Sequence, residues 1–192
     1  MKPTLTFLLA LSWLAPASPA TAAPATPPVD PALRTLLKQA AAETDGFADR
    51  FDAEVWLTDM SQRLAKKVPD AKYRVELLRA THREAARAGL KPELVLAVID
   101  VESSFNRFAI SSAGARGLMQ VMPFWLREIG RPGDSLFGIQ TNLRYGCTIL
   151  KYYLDKERGN LRAALARYNG SQGQGRYPAR VNLAYQKRWF PQ

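Results

Sequence analysis

Histidine and cysteine are nearly absent from this chain of 192 residues: His82 and Cys147 are the single examples of each. One cysteine forbids an internal disulfide and cannot build a metal site alone. One histidine sets zinc clusters and Ser-His-Asp triads aside on inventory, so no metal and no cofactor are expected. Cys147 falls at helical spacing in "LRYGCTILKYYL", which reads as a buried free thiol. The apolar run Leu5 to Leu14 is shorter than the roughly 20 residues that a membrane-spanning helix needs, so no transmembrane anchor is expected. Strand-like alternation, internal repeats and dense Lys/Arg clusters are missing as well, and the last of these points away from nucleic acid. Acids are the scarcer charge, 17 against 27 Lys and Arg, for a net +10. Such a surface favours anionic polymers.

What is present begins with a disposable start. Lys2, the apolar run and the small-residue tail "APASPATAA" end in Ala20-Thr21-Ala22, which fits an A-x-A cleavage site. Residues 1–22 therefore read as a secretory signal peptide. No cysteine follows the apolar run for lipid attachment, so the expected product is soluble, exported and periplasmic. Its charge is +9, because the leader removes Lys2 and no acid. Residues 23–31, "APATPPVDP", read as a Pro/Ala linker.

Helical periodicity takes over from there. Leu33, Leu36, Leu37 and Ala40 share one face, as do Val55, Trp56, Met60 and Leu64, and residues 32–79 read as an N-terminal helical segment. A helix capped by Asp70 is expected to run to Gly89, and another to start at Pro92 and Glu93. Further helices are expected at 117–128, 139–156, 160–168 and 178–188. The fold class is mainly α, with seven or eight helices.

Within "LVLAVIDVESSFNRFAISSAGARGLMQVMP" one acid stands out. Glu102 closes an almost wholly apolar run and shares a helical face with Val95, Val98 and Ile99. Burial and the negative end of the helix dipole both oppose its ionisation. A neutral carboxyl at ordinary pH is a proton donor. The competing reading is a glutamate that swings into solvent or pairs with Arg107 or Arg116. Most glycosidases need two carboxylates. Asp100 lies two positions back and is turned about 200° away, while acids beyond Glu128 are free in sequence terms to return in space. A lone acid suffices where an N-acetylated sugar supplies its own acetamido oxygen.

"ESSF", then Ala109 and Ser111, then "GARGLMQVMP" resembles the catalytic motif of the lytic transglycosylases of the soluble-transglycosylase (SLT) type, relatives in fold of goose-type lysozyme. "GLKPELVLAVIDVES", "NLRYGCTILKYYL" and "ARYNG" support the match over roughly residues 80–180. The resemblance implies a lysozyme-like helical domain at 80–192, with the N-terminal helices as an addition that either braces the domain or closes one end of the cleft. It implies cleavage of the MurNAc–GlcNAc β-1,4 bond of peptidoglycan without water, with Glu102 as the single acid and base and 1,6-anhydroMurNAc as the product end. It also implies substrate-binding roles for Ser111, Gln120, Met122, Tyr168 and Asn169. Ser111 would bond near the acetamido group or the acid, and the Tyr168 hydroxyl would orient one of them. Gly114 and Gly117 would serve turns or a close sugar approach. Phe105 and Leu118 read as packing; Trp125, Tyr152 and Tyr153 read as core with an option on the cleft. The partners implied are peptidoglycan glycan strands and, beyond them, cell-envelope or secretion assemblies. A water-using muramidase and a non-catalytic peptidoglycan-binding protein are the alternatives. The segment "YNGSQGQGRYP" departs from the family's Tyr-Asn-Ala-Gly pattern at Gly170, which bears on glycan-end preference rather than on Glu102.

Overall fold

Apolar residues recurring every three or four positions form seven α-helices in the computed structural model, which describes residues 50–190. These are α1 Arg50–Leu64, α2 Ala71–Arg87, α3 Pro92–Glu102, α4 Phe124–Ile129, α5 Ile139–Lys156, α6 Leu161–Tyr168 and α7 Arg176–Ala184, with a π-helical turn at Tyr185–Trp189. The mainly α expectation holds. The signal peptide, the linker and the apolar face of Leu33 to Ala40 lie outside the described residues.

Local chemistry sets the ends of α2 as its sequence suggests. The Asp70 carboxylate accepts the Tyr73 N–H at 3.1 Å, satisfying a donor that the first turn leaves free. At the far end Gly89 takes φ +66°, and Leu90 N–H reaches back to the Ala85 carbonyl at 2.8 Å. α3 then starts on Pro92 and Glu93. Its residues Leu94 to Ile99 are all buried, because α2, α7 and the π turn pack around it. An all-round apolar helix is stable only inside such a ring.

The N-terminal addition is part of this core. Met60 and Leu64 of α1 belong to the same buried cluster as α3. Trp56 Nε1 donates to Glu93 at 2.7 Å, pinning α1 to the first turn of α3. Within the described residues, α1 packs against α2 and the π turn.

One helix boundary needs correction. The helix expected at 117–128 begins at Phe124. Gly117 at φ +76° and Gln120 at φ +50° both take left-handed conformations, which a right-handed helix cannot contain. The segment instead makes a small antiparallel ladder, Ile110 to Arg116 and Arg116 to Val121. Buried Asn142 of α5 holds it: its side chain accepts the Met119 N–H and donates to the Arg116 and Leu136 carbonyls, each at 2.8 Å. The helix expected at 178–188 is α7 with the π turn.

Candidate active site

Glu102 is the last residue of α3, and the chain leaves it through an unusual turn. Ser104 and Phe105 follow at φ +48° and +67°, a conformation that costs a non-glycine residue about 1–2 kcal/mol. Burial offsets that cost. Phe105 packs edge-on against Trp189, ring centroids 5.4 Å apart, and Ser103 Oγ donates to the Leu118 carbonyl at 2.8 Å. Strain of this kind persists where surrounding contacts over-determine it.

The side chain of Glu102 meets α7. Tyr177 Oη donates to Glu102 Oε1 at 2.6 Å. Burial pushes the Glu102 carboxyl up from 4.5 to about 7, against the Tyr177 hydrogen bond and the positive charge of Arg180, both of which favour the ionised form. The Tyr168 and Tyr177 phenols are raised well above their ordinary value, by burial first and by the Glu102 charge next. They remain neutral donors at any ordinary pH. Neither arginine proposed as a partner for Glu102 serves: Arg107 Nε donates to the Phe137 carbonyl at 2.9 Å, and the Arg116 guanidinium lies over the Phe137 ring.

Other acids are occupied elsewhere. Asp100 turns to the opposite side of α3 and takes Lys67 at 2.6 Å, Arg188 at 2.7 Å and the Trp189 indole at 3.1 Å. Beyond Glu128, Asp134 accepts from Tyr145, Asp155 pairs with Lys151, and Glu157 pairs with Arg167. None of these three returns to Glu102.

A groove of about 230 Å³ lies between the 120–125 segment, α5 and the end of α6. Gln120, Met122, Tyr168 and Asn169 all line it, together with Trp125, Tyr153 and Gly170. Tyr168 links this groove to Glu102, which is not itself in the lining. Two larger hollows, of about 430 Å³ between α6 and α7 and about 520 Å³ between α1 and α2, have no carboxyl group in their walls. The smaller groove differs from them in that one of its wall residues, Tyr168, feels the charge of Glu102.

Several side chains named from sequence bond to the backbone of the same loop. The Tyr168 hydroxyl donates to the Met119 carbonyl at 2.7 Å. Ser111 Oγ accepts the Ala115 N–H at 3.1 Å, closing the turn of its own loop. The Gln120 amide nitrogen donates to the Gly117 carbonyl at 2.9 Å. Gly117 serves close packing: a Cβ there would lie 2.2 Å from the Leu136 carbonyl oxygen. Tyr152 sits under Lys156, away from the groove. Phe105 and Leu118 are buried packing residues, as expected.

Tyr177 is a site residue that the sequence alone does not reveal. Tyr177, Val181 and Ala184 form the buried face of α7, so periodicity marks Tyr177 as inward-facing but cannot say that a carboxyl awaits it. Its hydrogen bond favours the ionised acid, so Tyr177→Phe is expected to raise the Glu102 pKa further, by about one pH unit. A 13C NMR titration of the labelled carboxyl reads this directly. An unchanged value would mean that the bond does not form.

The chain is similar to known proteins. The transglycosylase SLT domain model matches residues 79–188. Membrane-bound lytic murein transglycosylase C from Yersinia pestis (strain Pestoides F) is 35% identical in a 107-residue alignment that covers 47% of this chain and 30% of that protein. Its counterpart in Yersinia pseudotuberculosis serotype O:1b gives the same values. An X-ray structure of lytic transglycosylase Slt from Pseudomonas aeruginosa, an inactive glutamate-to-glutamine mutant, superposes with a TM-score of 0.50 at 28% identity, covering 59% of this chain and 24% of that one. The chain thus spans 30% of the length of these curated relatives. With more than half of its residues inside the family model, the chain belongs to the transglycosylase SLT domain family.

Proposed function

We propose that this chain is an exported peptidoglycan lytic transglycosylase that cuts the MurNAc–GlcNAc β-1,4 bond without water. The observation that carries the reading is a single carboxyl held near neutrality, whose charge reaches Tyr168 in the wall of a polar and aromatic groove. No second acid among the described residues is bonded to it. At pKa about 7 a substantial fraction of Glu102 is protonated at neutral pH, ready to give its proton to the glycosidic oxygen as the bond to C1 breaks. The MurNAc acetamido oxygen attacks C1 as the GlcNAc hydroxyl leaves, forming an oxazolinium. Glu102, now ionised, takes the proton of the C6 hydroxyl. O6 then attacks C1 and expels the acetamide oxygen, closing the 1,6-anhydro ring. The acid ends protonated, as it began.

In this scheme Tyr177 and Arg180 steady Glu102 in the interval when it is charged. Gln120, Met122, Tyr168 and Asn169 bind the sugar along the groove, and residues 80–192 form the transglycosylase region. Ser111 and Tyr168 shape the groove through the backbone that they hold.

Digestion of purified sacculi followed by mass spectrometry of the released muropeptides tests this reading. Anhydro ends, lighter by one water than reducing ends, are the expected product. Reducing ends would assign a muramidase, and release of neither would remove the activity. Because the first step needs the protonated acid, kcat/KM is expected to fall as pH rises through about 7.

A further inference from the structure

The ladder that carries the groove edge also carries an exposed aromatic and cationic patch. Val121 lines the groove and bridges to Arg116, which bridges to Ile110 on the outer edge. There Phe108 and Ile110 stand 65% and 64% exposed, an unusual placement for large apolar side chains in the loop that follows a catalytic acid. Phe108 lies 6.1 Å from Phe137, ring to ring. The Arg107 guanidinium sits 5.1 Å above Phe108, and that of Arg116 sits 5.8 Å above Phe137. Neither arginine has a carboxylate partner among the described residues, and Arg116 Nε is buried without a hydrogen-bond acceptor. The patch thus carries two guanidinium groups, Arg107 donating through Nε to the Phe137 carbonyl, with aromatic faces beneath both.

We propose that this patch receives the peptide stem of the glycan strand whose sugars occupy the groove, an inference that rests on the function proposed above. The stems hang from the lactyl ether of MurNAc, so a stem beside the cut bond leaves the groove across its rim. They carry free carboxylates, which guanidinium groups bind through paired N–H donors. Aromatic faces under the guanidiniums hold them in place and partly dry, and Phe108 and Ile110 offer the stem's methyl and methylene groups an apolar seat. The occupant is chosen by charge complementarity and by continuity with the groove. The enzyme would then prefer stem-bearing strands to bare glycan.

The test compares intact sacculi with strands stripped of stems by an amidase, using wild type, Phe108→Ser and Arg107→Gln. Wild type is expected to cut stem-bearing strands about tenfold faster. Each variant is expected to lose most of that preference through KM while cutting stripped strands at the wild-type rate. Arg116→Gln, with its melting temperature recorded, gives an independent variant on the inner guanidinium. Equal wild-type rates on both substrates would overturn the proposal while leaving the transglycosylase reading intact. Cleavage of neither substrate would overturn both. Pelleting of wild type but not Phe108→Ser with anionic vesicles, with no stem preference, would give the patch to a membrane surface and also overturn it.

Discussion

Glu102→Gln is expected to slow glycan cleavage by roughly 10³- to 10⁴-fold while leaving the protein folded. Glutamine keeps an oxygen for the Tyr177 hydroxyl to reach, so the 2.6 Å contact can persist. What it lacks is a transferable proton, and both halves of the proposed reaction need one. The same substitution is expected to stabilise the protein at alkaline pH. Below pH 4.5 the acid is neutral in the folded and the unfolded chain. Between 4.5 and about 7 the unfolded chain has ionised and the folded chain has not, so wild-type stability falls as pH rises. Above about 7 the full difference is present, on the order of 3 kcal/mol. Glutamine has no such loss. Urea melts of both proteins at pH 5 and pH 8, beside initial rates on sacculi, check the two halves. Equal stability at pH 8 would show that the acid is not desolvated, and a rate within tenfold of wild type would remove it from the chemistry.

Gly117→Ala is expected to cost about 3 kcal/mol or more, the largest stability effect of any single methyl group in this loop. Gly117 has φ +76°. Its added Cβ would meet the Leu136 carbonyl oxygen at 2.2 Å and Asn142 Nδ2 at 2.3 Å. The first is backbone, and the second is the amide that ties the loop to α5. Neither can retreat without breaking a buried hydrogen bond. Gly114→Ala separates this clash from backbone preference. Gly114 also has a left-handed φ, +84°, but a Cβ there meets nothing within 4 Å, so about 1 kcal/mol is expected. Denaturant midpoints of the two variants should differ clearly. Equal losses would mean that the loop is not wedged against α5.

The helices and their caps are legible in the sequence because they rest on near neighbours. Asp70, Gly89 and Pro92 act within four residues of their own positions, and the apolar period of α3 demands burial whatever surrounds it. The 117–128 boundary is not legible in this way, because the left-handed turns at Gly117 and Gln120 are stabilised by Asn142, more than twenty residues away. Hydrophobic period alone carries no record of such a tie. The motif names Ser111, Gln120, Met122, Tyr168 and Asn169 as a set; the last four line one groove, whereas Ser111 closes the turn of its own loop.

By itself the sequence determined the helical fold class, singled out Glu102 as the acid that closes a buried apolar helix, and supplied the inventory that sets histidine- and cysteine-based chemistry aside. These follow from local periodicity and from counting. Only the tertiary structure decided which hydroxyl holds that acid, that Tyr177 does so while Tyr168 braces the loop, and that Asp100 faces the C-terminal turn instead of the site. A hydrogen bond across 75 residues depends on how two helices cross, and that geometry is a property of the packed core as a whole.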